Sequence, residues 1–349
     1  MTLTSTATSS PALRTGLVGY GFGGRFFHAP LLASAPGIDF LGVVTTSPDR
    51  AEQVRRETGR AVFGSLQALA DAGAEAVAVS TPVTTHTALS QEALRLGLAV
   101  VCDKPFALDA ASARETVELA ESRGVVLTAY QNRRRDSDFL TVLDLVAGGR
   151  LGSVTRFESR FERYQPDPGP PAAGGGSLLD FGSHLVDQAL VLLGPVTAVT
   201  AEQHLNDAGL DDDVFVALTH AGGARSHLWG SWRQGAPGPR FRVTGTDATY
   251  VVPGLMDVQE ELLLAGESPA TLGDAWGVEP EDRWGHLATG DRRETVPTVR
   301  GRWDTFYPEV AAAVRGGGPV PVDPWDAVAT ATVLDAARSS AASGRTVGL

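Results

Sequence analysis

A glycine-rich turn between a predicted strand and a predicted helix constrains the fold of this chain more than any other feature. Residues 17–24 run from an apolar strand pattern into Gly-x-Gly-x-x-Gly, and a helical apolar pattern follows over residues 26–31. A strand, a tight turn and a helix N-terminus in that order can hold a dinucleotide pyrophosphate on backbone N–H groups. Gly19 permits the turn, Gly21 lets the backbone approach the phosphates, and Gly24 lets helix and strand pack closely. The motif predicts a dinucleotide-binding βαβ unit, with a purely structural glycine turn as the alternative.

Composition excludes several classes of protein. A chain of 349 residues is long enough for two domains with buried cores. The net charge of −12 argues against nucleic-acid binding and against attachment to an anionic membrane. Cys102 is the only cysteine, which excludes an intrachain disulfide and a cysteine metal cluster. No apolar run reaches the length of a bilayer span, and the Ser/Thr/Ala-rich start lacks the pattern of a signal peptide, so we expect a cytoplasmic protein.

Apolar strand patterns alternate with amphipathic helix patterns as far as Tyr130. This order is typical of a parallel sheet covered by helices on both faces, and it predicts an α/β Rossmann domain. Gly97 and Gly124 each follow a helix at the position of a left-handed C-cap. The predicted strands are 38–44, 76–80, 99–102 and 125–129, and the predicted helices are 49–57, 66–70, 85–96 and 110–123.

After Tyr130 the pattern changes to consecutive strands with no helices between them. Such a run indicates a large, mostly antiparallel sheet, so the second half is predicted to be an α+β domain. Residues 253–302 are poorly periodic and predict long loops. The predicted strands of this half are 154–161, 197–204, 214–219, 226–232, 241–245 and 250–252, and the predicted helices are 138–147, 179–193, 303–315 and 326–342.

These patterns divide the chain into a flexible tail over 1–13, a dinucleotide-binding Rossmann domain over 14–130 and an α+β substrate and oligomerisation domain over 131–349. The last helix is a candidate to pack back on the first domain. An antiparallel sheet covered by helices on one face leaves its other face open. Trp229 and Trp232 have strand spacing and are candidates to pack against a partner surface or a core. We therefore expect a homo-oligomer, a dimer or a tetramer, with the second domains in contact.

Short motifs at corresponding positions resemble one family of dinucleotide-dependent enzymes. Thr81-Pro82 follows one predicted strand, His86 lies in the next helix, and Asp103-Lys104-Pro105 follows the next strand. Residues 179–187, Leu-Asp-Phe-Gly-Ser-His-Leu-Val-Asp, form a second signature. Together they resemble the glucose-fructose oxidoreductase, inositol dehydrogenase and rhizopine catabolism (Gfo/Idh/MocA) family over nearly the whole chain after the tail. The resemblance implies an NAD(P)-dependent oxidoreductase of a cyclitol or sugar.

Two further segments narrow the resemblance. Residues 27–30, Phe-His-Ala-Pro, and residues 131–134, Gln-Asn-Arg-Arg, look most like the NADP-dependent scyllo-inositol dehydrogenases of that family. The chain departs from the family at Asp103, where the usual residue is Glu. Its side chain is one methylene shorter, which changes the reach of the carboxylate but leaves Lys104 in place.

Lys104 is the first candidate catalytic residue. It lies at the carboxyl end of a predicted parallel strand, where open α/β sheets bind ligands. Its ammonium can hydrogen-bond a reacting hydroxyl and stabilise the developing alkoxide. Position alone is equally consistent with a solvent-exposed turn lysine, and the Asp-Lys-Pro motif favours the catalytic role through the resemblance.

Asp180 and His184 are the other candidate catalytic residues. They stand four positions apart on a predicted helix, hence on one face. A carboxylate beside an imidazole orients the ring and favours its charged form, which suits a proton acceptor near neutral pH. The alternative is a helix N-terminal carboxylate and an unrelated histidine, and the match to the family signature favours catalysis. The other histidines are scattered without zinc-like spacing, so no metal is expected.

The residues after the second predicted strand bear on the choice of cofactor. An NAD-preferring site places Asp or Glu about twenty residues beyond the glycine turn, to bind the ribose hydroxyls. Here hydroxyl side chains and Arg50 stand in that place, which suits the 2′-phosphate of NADP. Asp49 is either the missing acid or a helix cap, and we favour the cap and NADP, with NAD as the alternative. The predicted cofactor-binding residues are Gly19, Gly21, Phe22, Gly23, Gly24, Thr45, Thr46, Ser47, Arg50, Ser80, Thr81, Pro82, His86, Asp103, Lys104 and Asn132.

Weaker signals complete the predicted site. Asn132 and Arg133 stand at the domain junction, within reach of a substrate or of the nicotinamide amide, although a solvated helix start is an alternative. Tyr164, beside a Pro/Gly-rich loop, is a candidate sugar contact, with core packing as the alternative. His86 is a candidate neighbour of the cofactor ribose or a surface histidine, and for His28 helix packing is favoured. The predicted substrate-binding residues are Lys104, Asn132, Arg133, Tyr164, Asp180 and His184.

The functional hypothesis is an NADP-dependent oxidoreductase acting on a secondary alcohol of a cyclitol or sugar. Lys104 polarises the alcohol, His184 moves the proton and Asp180 orients His184. One alternative keeps the fold but acts on a sugar-linked or non-sugar biosynthetic substrate. Another is a non-catalytic dinucleotide sensor, which has no reason to keep proton-transfer groups.

Overall fold

The first half of the chain folds around a six-stranded sheet whose neighbouring strands are all parallel. The computed structural model describes residues 11–349, so residues 1–10 of the predicted tail lie outside it. The strand order β3-β2-β1-β4-β5-β6 reverses between β1 and β4, and at such a point doubly wound sheets bind dinucleotides. The predicted Rossmann fold is confirmed, with β3 an additional edge strand. The strands are β1 (Leu13–Val18), β2 (Ile38–Val44), β3 (Ala61–Phe63), β4 (Ala76–Val79), β5 (Ala99–Asp103) and β6 (Leu127–Tyr130).

Helices connect these strands, and α2, α3 and α5 have side-chain N-caps. The side chain of Ser47 accepts a hydrogen bond from the backbone N–H of Arg50 at the start of α2. Gly124 ends α5 in the left-handed conformation, which confirms the predicted C-cap. The glycine turn continues into a π-helical turn, Gly23–His28, before α1 begins. The helices are α1 (Ala29–Ser34), α2 (Pro48–Thr58), α3 (Leu66–Asp71), α4 (His86–Arg95) and α5 (Ala110–Arg123).

The second half contains a nine-stranded sheet in the order β14-β13-β12-β11-β7-β10-β9-β8-β15. Every neighbouring pair is antiparallel except β7 and β10, so the predicted, mostly antiparallel sheet is confirmed. The strands are β7 (Val154–Glu162), β8 (Val196–Leu205), β9 (Asp211–His220), β10 (Arg225–Ser231), β11 (Phe241–Gly245), β12 (Thr249–Val252), β13 (His286–Thr289), β14 (Arg292–Thr295) and β15 (Val347–Gly348).

The stretch 253–302, predicted as long loops, also contains regular structure. It holds two short helices and the β13–β14 hairpin, whose strand β14 is exposed throughout and therefore has no alternating apolar pattern to detect. The predicted helix over 179–193 is interrupted at Phe181, which separates α7 from α8. The helices of this half are α6 (Ser137–Ala147), α7 (Ser177–Asp180), α8 (Gly182–Leu193), α9 (Val258–Leu264), α10 (Pro269–Leu272), α11 (Phe306–Val314) and α12 (Pro324–Ser343).

The C-terminal helices join the two halves. Phe306 and Tyr307 of α11 are fully buried in the core of the first sheet, although they come from the second half of the chain. In α12, Val328 packs in that same core, whereas Leu334, two turns later, packs in the core of the second sheet. Together with α8, the second half of α12 covers one face of the nine-stranded sheet. The two halves are thus joined by helices whose buried side chains belong to both cores.

Candidate active site

A cavity of about 560 Å³ lies at the carboxyl ends of β1, β4 and β5, against the second half of the chain. This position is the one at which open α/β sheets bind ligands. It brings together side chains or backbone from three separate predicted motifs: the glycine turn, the Asp-Lys-Pro segment and the 179–187 signature. The predicted site residues that line it are Gly19, Gly21, Phe22, Gly23, Ser80, Thr81, Pro82, His86, Asp103, Lys104, Asn132, Arg133, Asp180 and His184.

The glycine turn leaves room for a ligand on one side only. Gly19 has φ of +91°, and a Cβ there would lie 2.2 Å from the carbonyl oxygen of Ser80. A Cβ on Gly24 would lie 2.4 Å from the carbonyl oxygen of Gly19, so this glycine permits the close packing of helix and strand. A Cβ on Gly21 would meet no protein atom within 4 Å. The backbone at Gly21 is therefore open to an approaching pyrophosphate, and the turn fits a dinucleotide.

A smaller cavity of about 340 Å³ continues from the turn towards the end of β2. Thr45 and Thr46 line it, together with Thr81, whereas Ser47 and Arg50 are outside its lining. The hydroxyl of Ser47 caps α2, so the N-cap is Ser47 and the favoured assignment of that role to Asp49 was wrong. The exposed guanidinium of Arg50 donates to Gln53 Oε1 at 2.9 Å. The remaining lining residues are Val18, Gly19, Val44, Gly64, Ser65, Leu66, Leu89 and Glu92.

Lys104 and Asp180 meet across the main cavity. Lys104 follows β5 in the first half, and its Nζ lies 2.5 Å from Oδ1 of Asp180, at the end of α7 in the second half. Both side chains are partly accessible, 23% and 18% exposed, so the pair faces the cavity and is not sealed in the core. The carboxylate therefore holds the ammonium at a place where a ligand can reach it.

Asp103 is held by polar groups next to Lys104. Its Oδ2 accepts a hydrogen bond from the hydroxyl of Ser80 at 2.8 Å and lies 3.2 Å from Nε2 of His28. Nδ1 of His28 is 2.5 Å from the hydroxyl of Tyr307, so His28 is fully buried between a carboxylate and a phenol. Burial alone raises the pKa of Asp103, but His28 and the neighbouring cations outweigh it and lower the pKa to about 2. The short Asp side chain therefore has partners, and it stays ionised.

His184 lies on α8 with its ring at the cavity wall. Its Nδ1 is buried and has no hydrogen-bond partner among residues 11–349. The predicted contact with Asp180 does not form, because the Asp180 carboxylate is taken by Lys104. Burial, reinforced by the charges of Lys104, Arg133 and Arg240, holds the pKa of His184 well below its ordinary value. The prediction of a charged imidazole was therefore wrong, and the ring is neutral near pH 7.

His86 is also buried, but both of its ring nitrogens are engaged. Nε2 lies 2.8 Å from the carbonyl oxygen of Thr81, and Nδ1 lies 2.8 Å from that of Pro105. Carbonyl oxygens only accept hydrogen bonds, so this arrangement requires a doubly protonated ring. Burial alone lowers the pKa of His86, but Cys102, Asp103 and the Pro105 carbonyl outweigh it and raise the pKa to about 9. His86 thus ties the loops after β4 and β5 together, and it has no free nitrogen for the ribose contact that was predicted.

Arg133 is buried beside the cavity and is not part of a solvated helix start. It donates to Oδ2 of Asp136 at 2.9 Å and to Oε2 of Glu260 at 2.6 Å. Its guanidinium carbon lies 4.7 Å from the ring centroid of Phe161. The backbone carbonyl of Arg133 accepts a hydrogen bond from Gln188 of α8 at 2.9 Å. Arg133 therefore connects the segment after β6 with β7, α8 and α9 beside the cavity.

The geometry corrects the prediction for Tyr164, whereas Trp232 packs in the second core, as one of its alternatives had it. Tyr164 is 69% exposed and is outside the cavity lining, whereas its neighbour Arg163 lines it, because adjacent residues of an extended chain point to opposite sides. Trp232 lies in the cavity wall with its ring stacked at 5.0 Å on Phe181. Trp229 lies on the other face of the sheet, so the two tryptophans do not share one surface.

Several lining residues were not among the predicted site residues. They are Phe161, Arg163, Phe181, Trp232 and Glu260. Phe181 stands inside the 179–187 signature, and Phe161 and Arg163 have the two-residue spacing of one strand face. Glu260 comes from α9, within the stretch predicted as long loops, where no pattern singles it out.

Residues 11–349 lack the features of two other classes of protein. No helix in this range is long and apolar enough to cross a membrane. In the same range, no group of three or more His, Cys, Asp and Glu side chains is arranged to hold a metal ion.

The sequence matches two family models in succession. The first, an oxidoreductase family with an NAD-binding Rossmann fold, matches residues 13–131. The second, the GFO/IDH/MocA C-terminal domain, matches residues 139–251. The interval between them, residues 132–138, lies between the end of β6 and the first residues of α6 and contains Asn132 and Arg133.

Known proteins resemble the chain along nearly its whole length. It is 35% identical to the uncharacterized oxidoreductase YdgJ of Escherichia coli (strain K12), covering 95% of this chain and 97% of that protein. It is 31% identical to scyllo-inositol 2-dehydrogenase (NADP(+)) IolW of Bacillus subtilis (strain 168), covering 97% of this chain and 96% of that protein. The solved structure of the oxidoreductase yvaA from Bacillus subtilis is similar with a TM-score of 0.89 at 31% identity, over 97% of this chain and 98% of that chain.

Proposed function

Because the chain belongs to the Gfo/Idh/MocA family of oxidoreductases, with an NAD-binding Rossmann domain, we propose that it transfers hydride between NADP and a secondary alcohol of a cyclitol or sugar. The observation that carries the proposal is the convergence of Lys104 with Asp180 and His184 in one cavity beside the glycine turn. The likeness to a relative named as an NADP-dependent scyllo-inositol 2-dehydrogenase supports the substrate class.

The glycine turn and the end of β2 would hold the cofactor. NAD(P), when bound, supplies the hydride acceptor or donor. The open backbone at Gly21 accommodates the pyrophosphate, and the exposed ring of Phe22 borders the same cavity. The end of β2 bears Thr45 and Thr46 in place of an acid, which supports NADP because a carboxylate there would repel a 2′-phosphate. Ser47 and Arg50 contribute only if their side chains turn towards the cofactor.

Lys104 stabilises the negative charge on the reacting oxygen. Its ammonium donates a hydrogen bond to the substrate hydroxyl and stabilises the negative charge that develops when the C–H bond breaks. Asp180 keeps Nζ facing the cavity through their 2.5 Å contact. In this account Asp180 orients Lys104, and not His184 as the sequence suggested.

His184 accepts and returns the proton of the reacting hydroxyl. In the direction of oxidation, the substrate loses a hydride from carbon and a proton from oxygen, and a neutral imidazole can take that proton. The lowered pKa of His184 ensures that the ring is neutral near pH 7 and ready to accept it. In the direction of reduction, the same ring returns the proton to the alkoxide oxygen.

The walls of the cavity suit a ring that carries hydroxyls. Trp232 and Phe181, stacked on each other, offer an apolar surface to the carbon-bound hydrogens of a ring. Arg133 and Glu260 offer donors and acceptors to hydroxyl groups on its edge. An apolar wall beside polar side chains is the arrangement expected of a polyol site.

A substrate screen tests the proposal. The purified chain is incubated with NADP, and separately with NAD, and with inositol isomers and common pyranoses, and reduced nicotinamide is followed by absorbance. We expect turnover of at least one ring polyol, faster with NADP, and none in Lys104→Ala. Tight binding of NADPH without turnover of any polyol or sugar would favour a dinucleotide sensor instead.

A further inference from the structure

The cationic side chains on the substrate side of the cavity are each paired with a carboxylate. Lys104 faces Asp180 at 2.5 Å. Arg163, from the end of β7, lies 3.5 Å from Oε1 of Glu260. Arg133 is paired in the same way, through the contacts with Asp136 and Glu260 described above. Three cations are therefore paired with three carboxyl side chains, and each cation has an acid within ion-pair distance.

Glu260 is the residue on which this balance depends. It is 8% exposed, lines the cavity, and divides its two carboxylate oxygens between Arg133 and Arg163. Arg133 keeps a second carboxylate, Asp136, if Glu260 is neutralised. Arg163 has no other acid within ion-pair distance among residues 11–349, and its side chain is 37% exposed. Neutralising Glu260 would therefore release one guanidinium towards the substrate.

The Glu260 carboxylate would accept a hydrogen bond from a neutral substrate, but it would repel an anionic one. A sugar hydroxyl can donate a hydrogen bond to Glu260, whereas a carboxylate or phosphate in its place would be repelled in a cavity that screens charge less than water does. Both arginines that would attract such an anion are already engaged. Discrimination by an opposing charge is a common way to exclude a close analogue.

We infer that Glu260 is a specificity-determining residue that restricts the site to uncharged ring polyols and excludes their carboxylate and phosphate counterparts. The inference rests on the proposed function, because it concerns the substrate side of the same cavity. Glu260 lies on α9, outside the two segments that the family models match. The choice between neutral and acidic substrates would therefore be made by α9.

The experiment compares matched neutral and anionic probes. Binding of D-glucose against D-glucuronate, D-galactose against D-galacturonate, and myo-inositol against its monophosphate is measured calorimetrically on the enzyme saturated with NADPH. In the wild type we expect the neutral member of at least one pair to bind 10-fold or more tightly than its anion. In Glu260→Gln, which keeps the shape of the side chain, we expect this preference to shrink by 10-fold or more.

The neighbouring Glu261→Gln is the matched control. Glu261 carries the same charge on the same helix, but its side chain is half exposed and contacts Arg283 outside the cavity lining. It should leave the preference unchanged. Equal or tighter binding of the anions by the wild type, no binding of any probe, or an unchanged preference in Glu260→Gln would each overturn the inference. Because binding is the readout, selective binding without turnover would contradict the proposed function alone.

Discussion

Lys104 Nζ and Asp180 Oδ1 are 2.5 Å apart although the two residues belong to different halves of the chain. The lysine comes from the loop after β5 of the Rossmann sheet, and the aspartate from the short helix α7 beside the second sheet. A contact of this kind fixes the distance between the cofactor side and the substrate side of the cavity. It also identifies Asp180 as the residue that positions the lysine.

Asp180→Asn should therefore lower kcat more than it changes the affinity for the cofactor. The amide keeps a hydrogen-bond acceptor but loses the charge that holds the ammonium, and we expect a loss on the order of 10- to 100-fold in kcat. Turnover and NADPH titration by fluorescence measure the two effects separately. Asp144→Asn, an exposed aspartate on α6, serves as control and should leave both unchanged. A parallel loss of cofactor affinity would show that Asp180 acts on the fold instead.

Arg50→Ala tests the preference for NADP. If the guanidinium turns from Gln53 to the 2′-phosphate, its loss should weaken NADP binding by about 1.5–3 kcal/mol, the range of hydrogen bonds to charged groups. The affinity for NAD, which lacks this phosphate, should hardly change. Arg55→Ala, at the exposed far end of the same helix, is the control. Equal losses for both cofactors, or a wild type that prefers NAD, would refute the assignment.

His86 predicts a pH dependence of stability. Its pKa is about 9 in the folded chain and near 6.5 when unfolded, so the folded state holds the proton more tightly. The stabilisation is complete below pH 6.5 and is lost as the pH rises through about 9, and it amounts to about 3 kcal/mol. Urea unfolding of the wild type and His86→Gln should show a difference that shrinks between pH 6.5 and 9.5. A difference that stays constant or widens would mean that His86 is neutral.

The open face of the nine-stranded sheet predicts self-association. Trp229 of β10 stands opposite Phe215 of β9 and Arg160 of β7. The guanidinium carbon of Arg160 lies 3.9 Å from the ring centroid of Trp229. The helices α8 and α12 cover the other face, so this patch is available to a second copy. We expect a dimer or a tetramer at micromolar concentration in light scattering, and smaller species for Trp229→Glu. Val278→Glu, in a loop outside the sheet, should not change the mass, and a monomeric wild type would disprove the prediction.

The fold could be predicted from the sequence because its signals are periodic and local. Buried parallel strands such as β4 read as continuous apolar runs, and Gly124 marks a helix end by its conformation. The strand β14 and helix α9 escaped prediction because an exposed strand and a seven-residue helix leave no pattern of sufficient length.

The candidate site was predicted where motifs mark it and missed where only the tertiary structure assembles it. Lys104 and His184 stand in motifs, and the cavity contains both. The spacing in the sequence could not identify the partner of Asp180. His184, four positions later, was the expected partner, but Lys104, 76 positions away in sequence, binds the carboxylate. Tyr164 was predicted from its place beside the Pro/Gly-rich loop, but Arg163 lines the cavity instead, because a shift of one residue reverses the face of a strand. The charge of His184 depends on burial and on three distant cations, none of which is visible locally.

Turnover of His184→Ala is the measurement that tests the central claim most directly. If the neutral ring of His184 accepts the substrate proton, its removal should lower kcat by about 10²- to 10⁴-fold on any polyol that the wild type oxidises. NADPH affinity, titrated by fluorescence, should change little, because the side chain comes from the substrate half. His204→Ala, a half-exposed histidine paired with Asp212, is the control and should retain activity. Turnover of His184→Ala at the wild-type rate would contradict the account.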